Sequence, residues 1–276
     1  MTNQEAARQQ LLNQQETLRL RMGKIKHKVA VISGKGGVGK STVTVNLATA
    51  FAMQGKKVGV LDADIHGPSV PRLLGLEGQH VETSPDGALP VEGPLGMKVM
   101  SIDFFLAEQM PTIWRGPLKM RAIRQFLVDI VWGELDFLFI DLPPGTGDEP
   151  LSVAQLLPDI DGVVIVSMPS ELSSAIVKKA ITFAGIVKMP IIGVVENFSG
   201  FICPHCGTKT EIFRSGGGRK MAEEAGVPFL GSIPIDPTVG IDSDKGKPFV
   251  LAHKDSAAAK AFTEVLDKVE AYVKKK

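Results

Sequence analysis

The 276 residues carry 44% hydrophobic and 22% charged side chains, an ordinary globular composition that excludes general disorder. With 31 basic and 30 acidic residues the net charge is +1, which argues against a cationic nucleic-acid binder. The longest apolar run, Gly162–Pro169, falls short of the ~18 residues of a membrane span, and Met1–Arg21 is Gln-rich without a secretory core, so a soluble cytoplasmic protein is expected.

In chain order, the first polar stretch has only a weak helical stripe (Leu11, Leu12, Leu18, Leu20, Met22), and residues 1–27 read as an N-terminal arm or helix. From Lys28 the pattern changes to short β-branched runs alternating with amphipathic segments. Strands are predicted at Lys28–Ser33, Lys57–Asp62, Met97–Ile102, Asp136–Asp141, Gly162–Met168, Ile191–Glu196 and Pro228–Ile233. Helices are predicted at about 40–54, 117–132, 149–157, 171–187, 216–226 and 256–273. Residues 75–96, dense in Gly and Pro, predict a surface loop or short hairpin. The expected fold is α/β: one domain over 28–276, a doubly wound and mostly parallel sheet of about seven to eight strands with helices on both faces. An insertion at about 198–214 breaks its rhythm.

Gly34-Lys35-Gly36-Gly37-Val38-Gly39-Lys40-Ser41 matches G-x-x-x-x-G-K-[ST], directly after a strand and opening a helix. That context predicts a P-loop NTPase. Glycines let backbone N–H groups wrap phosphate oxygens, and the helix N-terminus adds its positive dipole end. Lys40 is placed for the β- and γ-phosphates of ATP, and the Ser41 hydroxyl for Mg²⁺. Two apolar runs end in aspartates where a parallel sheet presents them beside such a loop: LDADIHGPS with Asp62 and Asp64, and FIDLPPGTGDE with Asp141. Strand alternation, if it persists through DAD, puts Asp62 and Asp64 on one side. Asn197 ends the run IIGVVEN, where its amide could both donate to and accept from an adenine edge or simply form a turn.

The two cysteines of the chain, Cys203 and Cys206, form a single CxxC. Two cysteines build no disulfide framework, and a reducing compartment fits them better. A thioredoxin-like dithiol would sit where a strand leads into a helix beginning at the motif. Here Asn-Phe-Ser-Gly precedes it and Gly-Thr-Lys follows, the pattern of a knuckle turn. Metal ligation therefore leads, by structural zinc or by an iron–sulfur cluster, each of which takes four ligands. A two-fold dimer supplies four thiolates from two such motifs.

The string GKGGVGKST, with its second lysine Lys35, resembles the deviant Walker A ATPases that include MinD, ParA and the nitrogenase iron protein. VVENFSGFICPHCG, DADIHGPS, IWRGPLK and DLPPGTGDEP resemble the Mrp (ApbC-like) branch of iron–sulfur cluster carrier ATPases over about Lys28–Val250. The resemblance implies an ATP-dependent face-to-face homodimer in which Lys35 reaches the facing nucleotide. Gly34 to Thr42 would hold ATP, Asp64 would orient the attacking water, and Asp62 and Asp141 would hold Mg²⁺ with Ser41. Gly145 would sit near the γ-phosphate, Asn197 would read adenine, and Pro234 and Asp236 would line the base or ribose pocket. It further implies a labile 4Fe–4S cluster on Cys203 and Cys206, bridging the dimer and delivered to apo-proteins, with slow ATP hydrolysis and no stable membrane association. The alternative is a positioning or regulatory switch ATPase with structural zinc at the CxxC. Two extensions found in relatives, a small N-terminal domain and an N-terminal four-cysteine site, have no counterpart in residues 1–27. The final stripe Ala259, Phe262, Leu266, Val269 and Val273 is expected to pack on the sheet, and Trp114 and Trp132 to serve the core. Arg115, in the Trp-Arg-Gly-Pro turn, receives no role.

Overall fold

The structure, a computed structural model, describes residues 3–105, 123–156, 159–169, 171–203, 206–213 and 215–275. Trp114, Arg115 and the first part of the helix expected at 117–132 lie outside the described residues, as do Pro204 and His205.

The chain opens with α1 (Asn3–Met22) and enters β1 (Ile25–Ser33), three residues earlier than the β-branched run suggested. Then follow α2 (Lys40–Met53), β2 (Val58–Asp62), α3 (Val70–Leu74), β3 (Glu82–Ser84), β4 (Gly87–Leu89), β5 (Val91–Glu92) and β6 (Lys98–Met100). Residues 123–128 form α4. β7 (Leu135–Asp141), α5 (Asp148–Leu156), β8 (Gly162–Ser167), α6 (Glu171–Ile186), β9 (Ile191–Ile202) and β10 (Lys209–Thr210) come next. The chain closes with α7 (Gly217–Glu224), β11 (Phe229–Ile235), α8 (Pro237–Asp244), α9 (Phe249–Ala252) and α10 (Ala257–Val273).

Among the described residues, nine strands join one sheet in the order β10-β9-β8-β1-β7-β2-β6-β5, with β11 paired to β9. β1, β2, β6, β7, β8, β9 and β11 pair in parallel, and β5 and β10 run antiparallel to their neighbours. The sheet exceeds the expected strand number because β5 and β10, two residues each, are too short to show a period in the sequence. The Gly/Pro-rich stretch 75–96 folds as the hairpin β3–β4 followed by β5.

β8 is buried along its whole length and β1 over its last six residues, as expected of strands covered on both faces. α2 packs with α3, α9 and α10, and α6 packs with α7. Phe51 of α2, fully buried, sets its ring 4.3 Å from Phe137 and 5.5 Å from Phe139 of β7, anchoring the helix that follows the phosphate loop. The C-terminal stripe of α10 is buried as expected, and Trp132 is 1% exposed with its Nε1–H donating to the Phe126 carbonyl. From β1 the chain travels one way through β2 and β6, and later the other way through β8 and β9. The loop after β1 therefore opens at the point where strand order reverses, which is where α/β sheets bind ligands.

α3 and α8 meet at a glycine pair. A Cβ on Gly246 (φ 64°) would lie 2.3 Å from the Gly75 Cα, and the Arg72–Asp244 ion pair spans the same junction at 2.8 Å. Gly246→Ala is expected to destabilise the fold by about 2 kcal/mol or more in urea denaturation, because strain and clash add. Arg72→Ala, which removes an exposed pair, should cost less than about 1 kcal/mol.

Candidate functional site

β1 delivers the phosphate loop to the carboxyl edge of the sheet. Gly37 and Gly39 take φ of 76° and 79°, a region that strains any residue with a Cβ. At Gly39 a Cβ would also fall 2.3 Å from Asn197 Nδ2 and 3.3 Å from the Phe198 ring, so the loop passes where only glycine fits. At Gly36 and Gly37 nothing lies within 4 Å of where a Cβ would stand, leaving open space over an exposed backbone, as a phosphate cradle requires. Gly39 is the N-cap of α2, whose first residues are Lys40, Ser41 and Thr42. Val38 is buried, and Gly34 and Lys35 are partly exposed; the Lys35 carbonyl accepts from the Ser33 hydroxyl.

Behind the loop, Asp141 at the end of β7 gathers the polar groups of α2. Its Oδ2 receives Lys40 Nζ at 2.7 Å and the Ser41 hydroxyl at 2.5 Å, and its Oδ1 receives the Thr44 hydroxyl at 2.8 Å. Lys40 is 6% exposed and Asp141 fully buried, so this is an ion pair removed from water. Asp62, also fully buried, accepts from the backbone N–H groups of Asp64, Ser69 and Val70, at 3.1, 3.0 and 3.1 Å. Burial, reinforced by the neighbouring Asp141 charge, pushes Asp62 up to about 8. The charges of Asp141 and Lys40 are felt at Asp62, and the oxygens of Asp62, Asp141 and Ser41 are the donor type a hard divalent cation such as Mg²⁺ takes.

The alternation expected for Asp62 and Asp64 does not survive, because β2 ends at Asp62. Asp62 turns inward, whereas Asp64 is partly exposed with its carboxylate accepting from the Gly67 N–H at 3.3 Å. Gly145, φ 97°, donates its N–H to the Ser33 carbonyl and so docks the turn after β7 onto the root of the phosphate loop.

Asn197 lies inside β9 rather than at its end, since the strand continues to Ile202. Its Nδ2 donates to the Val38 carbonyl at 3.0 Å, tying β9 to the phosphate loop, and the residue is 6% exposed. Phe198 follows in a left-handed conformation, φ 60°, that a side-chain-bearing residue adopts only under local constraint. Beyond it, Phe201 and Ile202 pair with Thr210 and Lys209. The hairpin is closed by Cys203 N–H to the Thr208 carbonyl at 3.0 Å and Gly207 N–H to the Cys203 carbonyl at 2.9 Å. Both thiols are free, Cys203 partly exposed and Cys206 exposed. The Thr208 hydroxyl, 3.3 Å from Cys206 Sγ, lowers the Cys206 thiol from its ordinary value, aided by the Thr208 backbone and by Cys203.

A cavity of about 330 Å³ opens beside this hairpin. Cys203 shares its wall with Pro234 and Asp236, and the first turn of α10 closes it. Asp236 also caps α8, accepting from Thr238 N–H at 2.9 Å and the Thr238 hydroxyl at 2.6 Å. Pro234, Asp236 and Cys203 are thus brought to one place, and Asn197 stands on the strand that leads to Cys203.

A family model described as ParA, NUBPL iron-transfer P-loop NTPase, matches residues 24–270. The chain belongs to this iron-transfer P-loop NTPase family. It is 54% identical over 253 residues to the iron-sulfur cluster carrier protein of Saccharolobus solfataricus, covering 91% of this chain and 86% of that one. With the cytosolic Fe-S cluster assembly factor CFD1 of Eremothecium gossypii it shares 47% identity, covering 89% and 92%. A solved nucleotide-binding protein of Archaeoglobus fulgidus, in complex with ADP, superposes with a TM-score of 0.76 at 48% identity, over 84% of this chain and 91% of that one. MinD of Aquifex aeolicus, at 22% identity and TM-score 0.65 over 89% and 97%, shares the fold.

For this iron-transfer NTPase, motif reading missed Thr44 and Glu196. Thr44 stands three residues after Ser41 and so on the same helix face, a spacing that could have found it. Glu196, an acid within an apolar strand, had no local signal for its partners.

The raised Asp62 pKa makes stability depend on pH. Between the ordinary carboxyl value near 3.8 and about 8, the folded state holds a proton that the unfolded state has lost. Stability from this group is full below that window and falls as pH rises through it. In metal-free and nucleotide-free protein, urea denaturation of wild type minus Asp62→Asn should show this decline between about pH 5 and 8, and a flat difference would refute it.

Proposed function

We propose that this chain is an ATP-dependent carrier of a 4Fe–4S cluster that works as a homodimer and delivers the cluster to apo-proteins. The observation that carries the proposal is the cysteine hairpin. Two free thiols sit on one closed turn, at the end of the strand whose Asn197 grips the phosphate loop. Each chain offers two thiolates, a 4Fe–4S cluster takes four, and a two-fold axis supplies the second pair. Relatives at about half identity named as cluster carriers support this cargo. The Archaeoglobus neighbour in complex with ADP supports the nucleotide.

In this reading residues 28–276 act as the ATPase domain and 1–27 as an appended arm. Backbone groups of Gly34 to Thr42 hold the phosphates, and Lys40 exchanges its Asp141 partner for phosphate oxygens. Ser41, Asp62 and Asp141 would hold Mg²⁺, which would neutralise phosphate charge when bound. Asp64 orients water, and Lys35 reaches the nucleotide of the facing copy, so that hydrolysis is slow until two copies meet. The base enters the cavity of Pro234, Asp236 and Cys203, and Asn197, on the strand that leads to it, reads its edge by exchanging its Val38 partner. We place it in the cytoplasm, where a chain whose two cysteines build no disulfide framework fits best and where the Eremothecium relative is named as cytosolic. No described helix is long and apolar enough to cross a membrane.

Anaerobic reconstitution with iron and sulfide should give about four irons per dimer with charge-transfer absorption, lost in both Cys203→Ala and Cys206→Ala. Tight zinc without cysteine-dependent iron would instead leave a switch ATPase with a structural knuckle. Nucleotide in the shared cavity should also slow alkylation of Cys203 several-fold by MgATP or MgADP, with little change at exposed Cys206. Mass spectrometry of the two single-cysteine variants measures this, and an unaffected Cys203 places the base elsewhere.

A further inference from the structure

Glu196 is fully buried in β9, and among the described residues its hydrogen-bond partners include neither the phosphate loop nor the cysteines. Its Oε1 accepts from the Ser199 hydroxyl at 2.5 Å and the Gly216 N–H at 3.0 Å, with the Ser232 hydroxyl at 3.5 Å. Its Oε2 accepts from the Gly218 N–H in the first turn of α7. A carboxyl group out of water needs its lone pairs met, and here neutral donors from three separate parts of the chain converge on it.

Their positions matter more than their number. Ser199 opens the excursion that carries Cys203 and Cys206, and Gly216 closes it, so one carboxyl group fastens both feet of the cysteine hairpin. Gly218 permits this closeness, because a Cβ there would meet the Glu196 Cβ at 2.8 Å. Adjacent strand residues point to opposite faces. Glu196 accordingly faces α7, while Asn197 faces α2 and holds the Val38 carbonyl. Two consecutive residues of one strand therefore hold the feet of the hairpin and the phosphate loop.

We propose that Glu196 is a positioning residue for the Cys203–Cys206 pair, clamping the hairpin feet so that the thiols stay at the separation a shared cluster requires. The proposal rests on the carrier reading for its consequence, cluster retention, but its geometry stands without a cluster. Glu196→Gln keeps the volume, and its amide N–H₂ must face the Gly218 N–H or another donor, so one contact is lost. Ser199→Ala removes a single donor and leaves the carboxyl group in place.

Two measurements on the full-length protein test it. In cluster-free protein, amide hydrogen exchange across 198–216 should rise in both variants, while exchange in β1 and β8 stays unchanged. In reconstituted dimer, cluster loss to an iron chelator should accelerate about fivefold or more in Glu196→Gln and less in Ser199→Ala, with ATP affinity unchanged. Unchanged exchange and unchanged cluster loss in both variants would overturn the proposal. It is equally overturned if ATP affinity and melting temperature fall in step with cluster retention, since that is general structural damage. Should Glu196→Gln fail to fold, Ser199→Ala decides by the same readings. A wild type without any cysteine-dependent cluster would sink the carrier reading, and the exchange data would still decide the clamp.

Discussion

The buried carboxylate of Asp141 is the point on which the nucleotide end of this molecule depends. One oxygen takes both the Lys40 ammonium and the Ser41 hydroxyl, and the other takes Thr44. Pairing a charge so far from water contributes little net stability compared with an apolar core. Removing one partner, however, strands the other, typically at a cost of about 3–5 kcal/mol. The consequence is geometric: Lys40 and Ser41 are held in place by β7, and β7 is held in register between β1 and β2. The phosphate loop thereby has a fixed inner wall, while its outer glycines stay open.

β9 extends that organisation to the cysteines. Because it runs past the body of the sheet to Ile202, a single strand passes the phosphate loop at Asn197 and reaches the thiol turn at Cys203. The left-handed Phe198 marks the passage from sheet to hairpin, and strain of this kind persists only where the surroundings over-determine it. Here the Asn197–Val38 bond lies on one side and the Glu196 cluster on the other. The parallel partner β11 then turns at Pro234–Asp236 to close the cavity that Cys203 lines. The phosphate loop and the CxxC turn are thus both tied to one continuous, well-packed strand.

Legibility of the chain depended on how local each cause is. The strands from β1 to β11 that cross the core were readable because burial on both faces favours continuous β-branched runs such as GVVIVS and VGVLD. The phosphate loop was readable because its glycines and lysine act through their own backbone. The Asp62–Asp64 relation was misjudged because alternation is a property of extended strand, and β2 stops at Asp62 once its carboxylate captures the Ser69 and Val70 N–H groups. β9 was cut short at Glu196 because Phe-Ser-Gly reads as a turn, whereas pairing with β10 and β11 extends it.

What the sequence by itself determined is the chemistry available: a phosphate-wrapping loop, carboxylates at strand ends, and two thiols in one CxxC. Near neighbours along the chain cause these features, so spacing alone records them. Only the tertiary structure decided which carboxylates are dry, that Asp236 and Cys203 share a wall, and that Glu196 binds residues on both sides of the hairpin. Those facts arise from the order in which strands lie side by side, and hydrogen bonds that join Glu196 to Gly216 or Ser41 to Asp141 form only after the sheet has brought distant segments within reach.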